Sequence, residues 1–509
     1  MSQHSTRRTF LKSAAFGGAM TGLGDLGFLS RIEPVSAADS TLDPNIVRLE
    51  AGIEPVVRLL EETPREQLLE KVAARIKAGL TYREVLAALL LAGVRNVQPR
   101  PSVGFKFHAV LVVNSAHLAS MASPPEHRWL PIFWALDEFK SAQAADVREG
   151  NWTMAPVSES KVPSADKAQQ AFIGAMDAWD EGAADVAVAG LARSSKIDDV
   201  FELFYRYGAR DFRDIGHKAI FVANSRRTLE VIGWQHAEPI LRSLAYALQH
   251  HEGGNPSQGN APADMPWRRN LELAARLRKD WTEGRIDPAA TTEFLEVLRS
   301  GSDEEACRQA VEIVNRGVSP QSIWDALFVG SGELLMRQPG IVALHAMTSS
   351  NALRYAFQAT SSDETRRMVF LQNVAFLPLF RAAMVSRGKV GNTRLDTLEG
   401  VPLQTTGTDA CTEILADISR DRPRAAGKIL SYVKENPNPT DLMDAARLLI
   451  FLKGTNSHDY KFSAALLEDF QHVSPEWQAR FLAAGVFNLR GSGDADNQLV
   501  KQTRDALAG

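Results

Sequence analysis

A segment that recurs along the chain constrains the fold most, because a repeated unit must bury its apolar face against its own copies. Residues 79–118 and 317–355 share one pattern: a glycine, a Thr or Ser, an apolar stretch, a loop and a His-Ala pair. The first glycine precedes the histidine by 29 residues in one copy and by 28 in the other, and the histidines are His108 and His345. The match predicts two related helical units.

Polar residues at fixed places give this match a physical reason. Thr81 and Ser319 stand where a helix N-cap belongs, because their side-chain oxygens can accept hydrogen bonds from the unpaired N–H groups of a first turn. Six residues after each histidine comes an asparagine, Asn114 in one copy and Asn351 in the other.

Weaker copies lead to two further histidines, His217 and His458. The four histidines are 109, 128 and 113 residues apart, which predicts about four related multi-helix units of roughly 110 residues. Such units can stack as an open solenoid or close into one globular domain, and closure would bring equivalent positions to one centre. Two units fall in residues 38–275 and two in residues 276–509.

The chain is predicted to be all-α. Strand patterns are almost missing, while apolar residues recur at spacings of three and four, as in Ile53-Val56-Val57-Leu60 and Leu68-Leu69-Val72-Ile76. Gly and Pro cluster between these stretches, as in Asn436-Pro437-Asn438-Pro439, and are typical of helix ends.

The N-terminus resembles a twin-arginine (Tat) export signal. Thr6 to Lys12 reads Thr-Arg-Arg-Thr-Phe-Leu-Lys, a weakly apolar run covers residues 13–29, and Val35-Ser36-Ala37 has the small residues of a cleavage site. We therefore expect residues 1–37 to be a signal peptide and to play no part in the fold. The resemblance implies a bacterial protein that engages the Tat translocon and reaches the periplasm folded.

Composition excludes several function classes. The net charge of −4 gives no basic surface for nucleic acid, so no nucleic-acid partner is expected. After the signal no run of 18 apolar residues occurs, so no transmembrane span is expected in the mature chain. The two cysteines, Cys307 and Cys411, could pair, but two buried unpaired side chains are the favoured interpretation. The CxxC, CxxCH and HExxH motifs are absent.

The recurring histidines are the candidate metal ligands. His108, His217, His345 and His458 occupy equivalent positions, and imidazole is a common ligand for Zn, Fe, Cu and Ni. The candidate cofactors are therefore Fe, haem, Cu or Zn, which a protein exported folded can acquire beforehand. The alternative is that each histidine caps a helix or packs in the repeat core with its hydrogen bonds satisfied.

Four further residues are weaker candidates. Asp137 interrupts an apolar helix and could act as a general base or orient a metal ligand, although a solvated helix edge is favoured. His236 is a second candidate catalytic residue. Asn114 and Asn351 could line the pocket of a cofactor, together with Asn224, or simply join helices by hydrogen bonds.

Three short segments are similar to the questin-oxidase-like family: Phe107-His108 with Asn114 and His117, Gln235-His236 with Leu241, and Leu344 to Ser349. That family is helical and rich in histidine, and its named members carry out Baeyer–Villiger-type oxidation of aromatic polyketides. The resemblance implies redox chemistry on a small-molecule substrate.

The sequence thus favours an exported metal- or haem-dependent oxidoreductase with a histidine-lined site. Two alternatives stay open: a non-enzymatic helical-repeat protein that binds a partner or small ligand, and a hydrolase or lyase that needs no cofactor. The distance between the four histidine side chains separates these hypotheses, because a single mononuclear site requires all of them within about 10 Å of one another.

Overall fold

A computed structural model describes residues 45–99, 105–250 and 254–508. The expected signal peptide, residues 1–37, lies outside the described residues. Within them the chain is all-α, as predicted, and the extended pairing seen there is an isolated bridge between Arg285 and Val318.

Short 3-10 turns join many of the helices, notably Phe105–Phe107, Arg213–Gly216, Trp234–His236 and Phe470–His472. In chain order the α-helices of the described residues are α1 (Glu54–Glu62), α2 (Arg65–Lys77), α3 (Tyr82–Asn96), α4 (His108–Leu111), α5 (Val113–Ala122), α6 (Leu130–Glu149), α7 (Ala165–Ala178), α8 (Glu181–Ser194), α9 (Ile197–Gly208), α10 (His217–Ile232), α11 (Ala237–Gln249), α12 (Met265–Arg276), α13 (Pro288–Ser300), α14 (Asp303–Asn315), α15 (Pro320–Arg337), α16 (Ile341–Ala359), α17 (Asp363–Val385), α18 (Gly407–Ile418), α19 (Arg422–Glu435), α20 (Thr440–Lys453), α21 (Ser457–Asp469), α22 (Pro475–Gly485) and α23 (Gln498–Ala508).

The predicted N-caps are confirmed. Thr81 accepts a hydrogen bond from the backbone N–H of Glu84, whose carboxylate accepts one from Thr81 in return, which closes a capping box at the start of α3. Ser319 accepts a hydrogen bond from the N–H of Gln321 at the start of α15. These caps satisfy N–H groups that would otherwise lack partners, and so fix where each helix begins.

The helices that carry the four recurring histidines pack side by side around one centre. The short helix α4 and its continuation α5 contact α10, α10 contacts α16, α16 contacts α21, and α21 returns to α5. We call these helices the central ring. The predicted units therefore converge on a centre rather than extend as an open solenoid, while the relation of the units by an internal repeat stays a prediction.

An outer layer of helices covers the central ring. Each ring helix is flanked by the helix before it and the helix after it, as α16 is by α15 and α17. The two ends of the described chain also meet, because α23 packs on α2 and α6 and the Lys77 ammonium donates to the carbonyl of Ala506. The apolar side chains of both layers form one continuous core.

The central ring contains helices from both halves of the chain. The predicted boundary at residues 275 and 276 falls at the end of α12, and α10 from the first half packs on α16 from the second. The division into 38–275 and 276–509 stays a prediction about units within this arrangement.

Helix α17 is long and apolar enough to cross a membrane by length and composition, with a mean hydropathy of 1.6. Within the fold 72% of that apolar window is buried, as in the core helix of a protein that does not span a membrane. Cys307 and Cys411 are both free and buried, so the favoured interpretation of the two cysteines is confirmed.

Candidate metal centre

The four recurring histidines meet where the central ring helices begin. His108 and His217 are the first residues of α4 and α10, His458 is the second residue of α21, and His345 lies in the first turns of α16. Ring centroids are 4.2 Å apart for His217 and His345, 4.7 Å for His108 and His458, and 5.2 Å for His345 and His458. We call these four side chains the histidine cluster. Their separations fall well within the 10 Å that a single site allows.

Three members of the cluster are close enough to share one metal ion. The candidate ligand nitrogens of His108, His217 and His345 all lie within 4.8 Å of one another. The Nε2 atoms of His108 and His217 are 3.2 Å apart. Two nitrogens bound to one ion at about 2.0–2.1 Å are separated by about 2.9–3.4 Å, so this pair already has the spacing of common ligands.

Backbone carbonyls fix which nitrogen of two histidines carries the proton. The Nδ1 of His217 lies 2.6 Å from the carbonyl oxygen of Asp214, and the Nδ1 of His345 lies 2.6 Å from that of Ile341. A carbonyl oxygen can only accept, so each Nδ1 donates and each Nε2 of a neutral ring keeps its lone pair. Metal-binding histidines are oriented in the same way.

Two nitrogens of the cluster are buried without a partner. The Nε2 of His345 and the Nε2 of His458 have no hydrogen-bond partner among the described residues. An unpaired buried polar atom is costly, and most buried polar groups are satisfied. The cluster therefore does not match the alternative in which every histidine is satisfied by the fold.

Burial keeps these imidazoles neutral. It lowers the pKa of His217 to about 3, with a further contribution from the positive charge of Lys461. Burial also lowers the pKa of His458 to about 3 and that of His345 well below its ordinary value. Because a metal binds only the neutral imidazole, the ligands need not lose protons at neutral pH.

A strained turn orients the imidazole ring of His217 within the histidine cluster. Asp214 and Ile215 have φ values of +55° and +47°, and Gly216 follows with +79°. A β-branched residue such as Ile215 is rarely left-handed, and such strain is held only where the surrounding structure imposes it. The turn brings the Asp214 carbonyl to the Nδ1 of His217 and so sets the orientation of that ring.

The three asparagines meet beside the cluster, as the sequence suggested. Asn114, Asn224 and Asn351 line a cavity of about 10 Å³, which is the space of about one water molecule. Asn114 donates to Asn224, while Asn351 donates to the carboxylates of Glu468 and Asp469. Through these hydrogen bonds they join the ring helices to one another, further along the helices than the histidines.

Lys461, which the sequence analysis did not select, lines the same cavity. It follows His458 by three residues and so lies on the same face of α21, one turn on. A lysine between Tyr460 and Phe462, on the inward face of a ring helix, was the signal that could have identified it.

Asp137 and His236 lie apart from the cluster. Asp137 lines a groove of about 1260 Å³ between α2, α6 and α23, where it accepts two hydrogen bonds from Arg65. His236 lines a separate groove of about 540 Å³, with its Nδ1 3.9 Å from the carboxylate of Glu50. The structure thus assembles the four predicted metal ligands and places the two predicted catalytic residues elsewhere.

A porphyrin does not fit the cluster. Its four rings contact one another, and the neighbouring cavity has room for about one water molecule. Sites for ligands of that size span several hundred Å³. A single metal ion held by imidazoles fits the same residues better, because candidate ligand nitrogens of three of them already lie within 4.8 Å of one another.

Comparison with known proteins adds no assignment. No family model matches the chain, and no match is found among curated proteins or solved structures. The similarity to the questin-oxidase-like family stays a prediction that rests on its short segments.

Proposed function

We propose that this protein is a metalloprotein with one buried metal ion, bound by His108, His217 and His345, with His458 as the fourth ligand. The observation that carries the proposal is the convergence of buried imidazoles: candidate ligand nitrogens of His108, His217 and His345 lie within 4.8 Å of one another, and the Nε2 atoms of His345 and His458 lack a partner among the described residues. Closure of the units accounts for the meeting of the four positions, but it does not account for two buried Nε2 atoms without partners.

We propose further that the metal serves an oxidoreductase acting on a small molecule. Imidazole ligands suit Fe and Cu, which change oxidation state, as well as Zn, which does not. When bound, such an ion supplies redox or Lewis-acid chemistry, while the chain holds it away from bulk water. Metal identity therefore decides between an oxidoreductase and a zinc-dependent hydrolase or lyase.

Metal analysis of the purified protein and of its His345→Gln variant tests the proposal. We expect about one transition-metal ion per chain, and at least a hundredfold weaker binding after His345 is replaced, because one ligand is lost. His236→Gln is the matched control, since His236 is also buried but lies in a separate groove. It should keep the full metal content.

The metal-free proteins provide a second measurement. Since the Nε2 of His345 has no protein partner, the metal-free His345→Gln variant loses only the hydrogen bond from Nδ1 to the Ile341 carbonyl, and its stability should lie within about 1.5 kcal/mol of metal-free wild type. A protein that binds no transition metal, or whose His345→Gln variant binds it as well as wild type does, would contradict the proposal.

We also propose that the protein is exported through the twin-arginine pathway, on the strength of the motif from Thr6 to Lys12. Replacement of Arg7 and Arg8 by lysine keeps the charge and should leave the protein in the cytoplasm, as judged by cell fractionation. Lys12→Arg is the charge-matched control outside the arginine pair. Equal periplasmic amounts of wild type and the double variant would refute this assignment.

A further inference from the structure

Lys461 is a buried amine that has no acidic partner among the described residues. Its side chain is 3% exposed, and its Nζ has no hydrogen-bond partner among the described residues. Burial lowers the pKa of its ammonium to about 7. The N–H groups of this amine can therefore donate hydrogen bonds that no described residue accepts.

This amine lies one helical turn after His458, on the face of α21 that carries that histidine. In its charged form it lowers the pKa values of His217, His345 and His458, which belong to three different ring helices. It also lines the small cavity of the three asparagines, further along the ring helices than the histidines. Lys461 is therefore placed to act on a group that lies between the histidines and the cavity.

The other charged groups of the cavity are already paired. Arg227 donates to Glu468 and to Asn351, and Asn351 donates to Glu468. The ring helices add to the positive potential, because their N-terminal ends, which carry partial positive charge, meet at the cluster. A metal ion held by neutral imidazoles would bring further uncompensated positive charge into a site of low dielectric constant.

We propose that Lys461 and the histidine cluster together form a subsite for a monovalent anion of one heavy atom. The inference rests on the proposed metal centre and adds the class of ligand that it accepts. Lys461 donates a hydrogen bond to the anion, and the cavity, with room for about one water molecule, excludes larger ligands. Fluoride and hydroxide have the required charge and size.

Fluoride titration of the Co²⁺-loaded full-length protein tests the subsite, with the visible spectrum of the cobalt ion and calorimetry as readouts. The variant Lys461→Met removes the amine at similar volume and should weaken fluoride binding at least about tenfold, with unchanged Co²⁺ stoichiometry. It should also fold, because it removes an unpaired buried amine. Lys140→Met is the matched control: Lys140 is buried but donates to the carbonyls of Leu60 and Glu61.

The outcomes separate the two proposals. Tight fluoride binding by wild type and Lys140→Met, but not by Lys461→Met, supports the subsite. Equal fluoride affinity in wild type and Lys461→Met, or binding of azide and acetate as tightly as fluoride, overturns the subsite and leaves the metal centre standing. Failure of the wild type to bind Co²⁺ overturns both.

Discussion

At the scale of residues, His117 shows how two histidines on one stretch of chain come to differ. It lies nine residues after His108, and at about 3.6 residues per turn that spacing puts the two side chains on opposite faces of the helical stretch. Its Nδ1 lies 3.1 Å from the hydroxyl of Tyr82, outside the cluster. Burial lowers the pKa of His117 to about 4.

This shift predicts a dependence of stability on pH. The unfolded chain binds a proton at His117 near pH 6.5, whereas the folded chain does so near pH 4. The free energy of unfolding should therefore fall as the pH drops from 6.5 to 4, with a contribution of at most about 3 kcal/mol from this residue. Urea unfolding of wild type and His117→Gln across this range measures it. Identical pH profiles would show that His117 titrates normally in the folded state.

At the scale of elements, the 3-10 turn Arg213–Gly216 connects α9 to α10 and determines where His217 points. The sequence indicates neither its left-handed residues nor their purpose, because Asp214 and Ile215 are not typical of that conformation. Gly216 also packs closely on α16: an added Cβ would lie 2.7 Å from the Cβ of Ser349. The turn therefore links the orientation of one ligand to the helix that carries another.

The variant Gly216→Ala should displace the turn and weaken metal binding at least about tenfold without removing a ligand. It combines a left-handed backbone penalty of about 1–2 kcal/mol with the contact on Ser349. Gly317→Ala pays a similar backbone penalty, since Gly317 has a φ of +92°, but its Cβ would meet no atom within 4 Å. Metal titration and thermal unfolding of both variants separate the effect of backbone strain, which both share, from displacement of the turn, which only Gly216→Ala should cause. Equal metal affinity in the two would mean that the turn does not position His217.

At the scale of the molecule, closure of the central ring depends on contacts between distant parts of the sequence. Helices α5 and α21 are neighbours in the ring although more than 300 residues separate them. The core that surrounds the ring is continuous, and its two thiols are not linked. Apolar packing, rather than a disulfide, therefore holds the described part of the chain together.

The two cysteines provide a measurement of this packing. Cys307 donates to the carbonyl of Leu371 and Cys411 to the hydroxyl of Tyr432, and burial raises the pKa of Cys307 to about 12. Both thiols should react with an aromatic disulfide reagent only after unfolding, because both are buried in the folded protein. Reductant should leave the melting temperature unchanged. Rapid labelling of the folded protein, or a lower melting temperature in reductant, would contradict this packing.

The sequence by itself determined the helices, their caps and the recurrence of a histidine at equivalent positions, because helix periodicity and N-cap chemistry are local properties. Only the tertiary structure decided that the four histidines meet, which nitrogens face the centre, and that Lys461 lies unpaired beside them. It also placed Asp137 in an ion pair with Arg65, a partner 72 residues away. Periodicity shows which face of a helix is buried, but the neighbour that covers that face is chosen by packing across the whole chain.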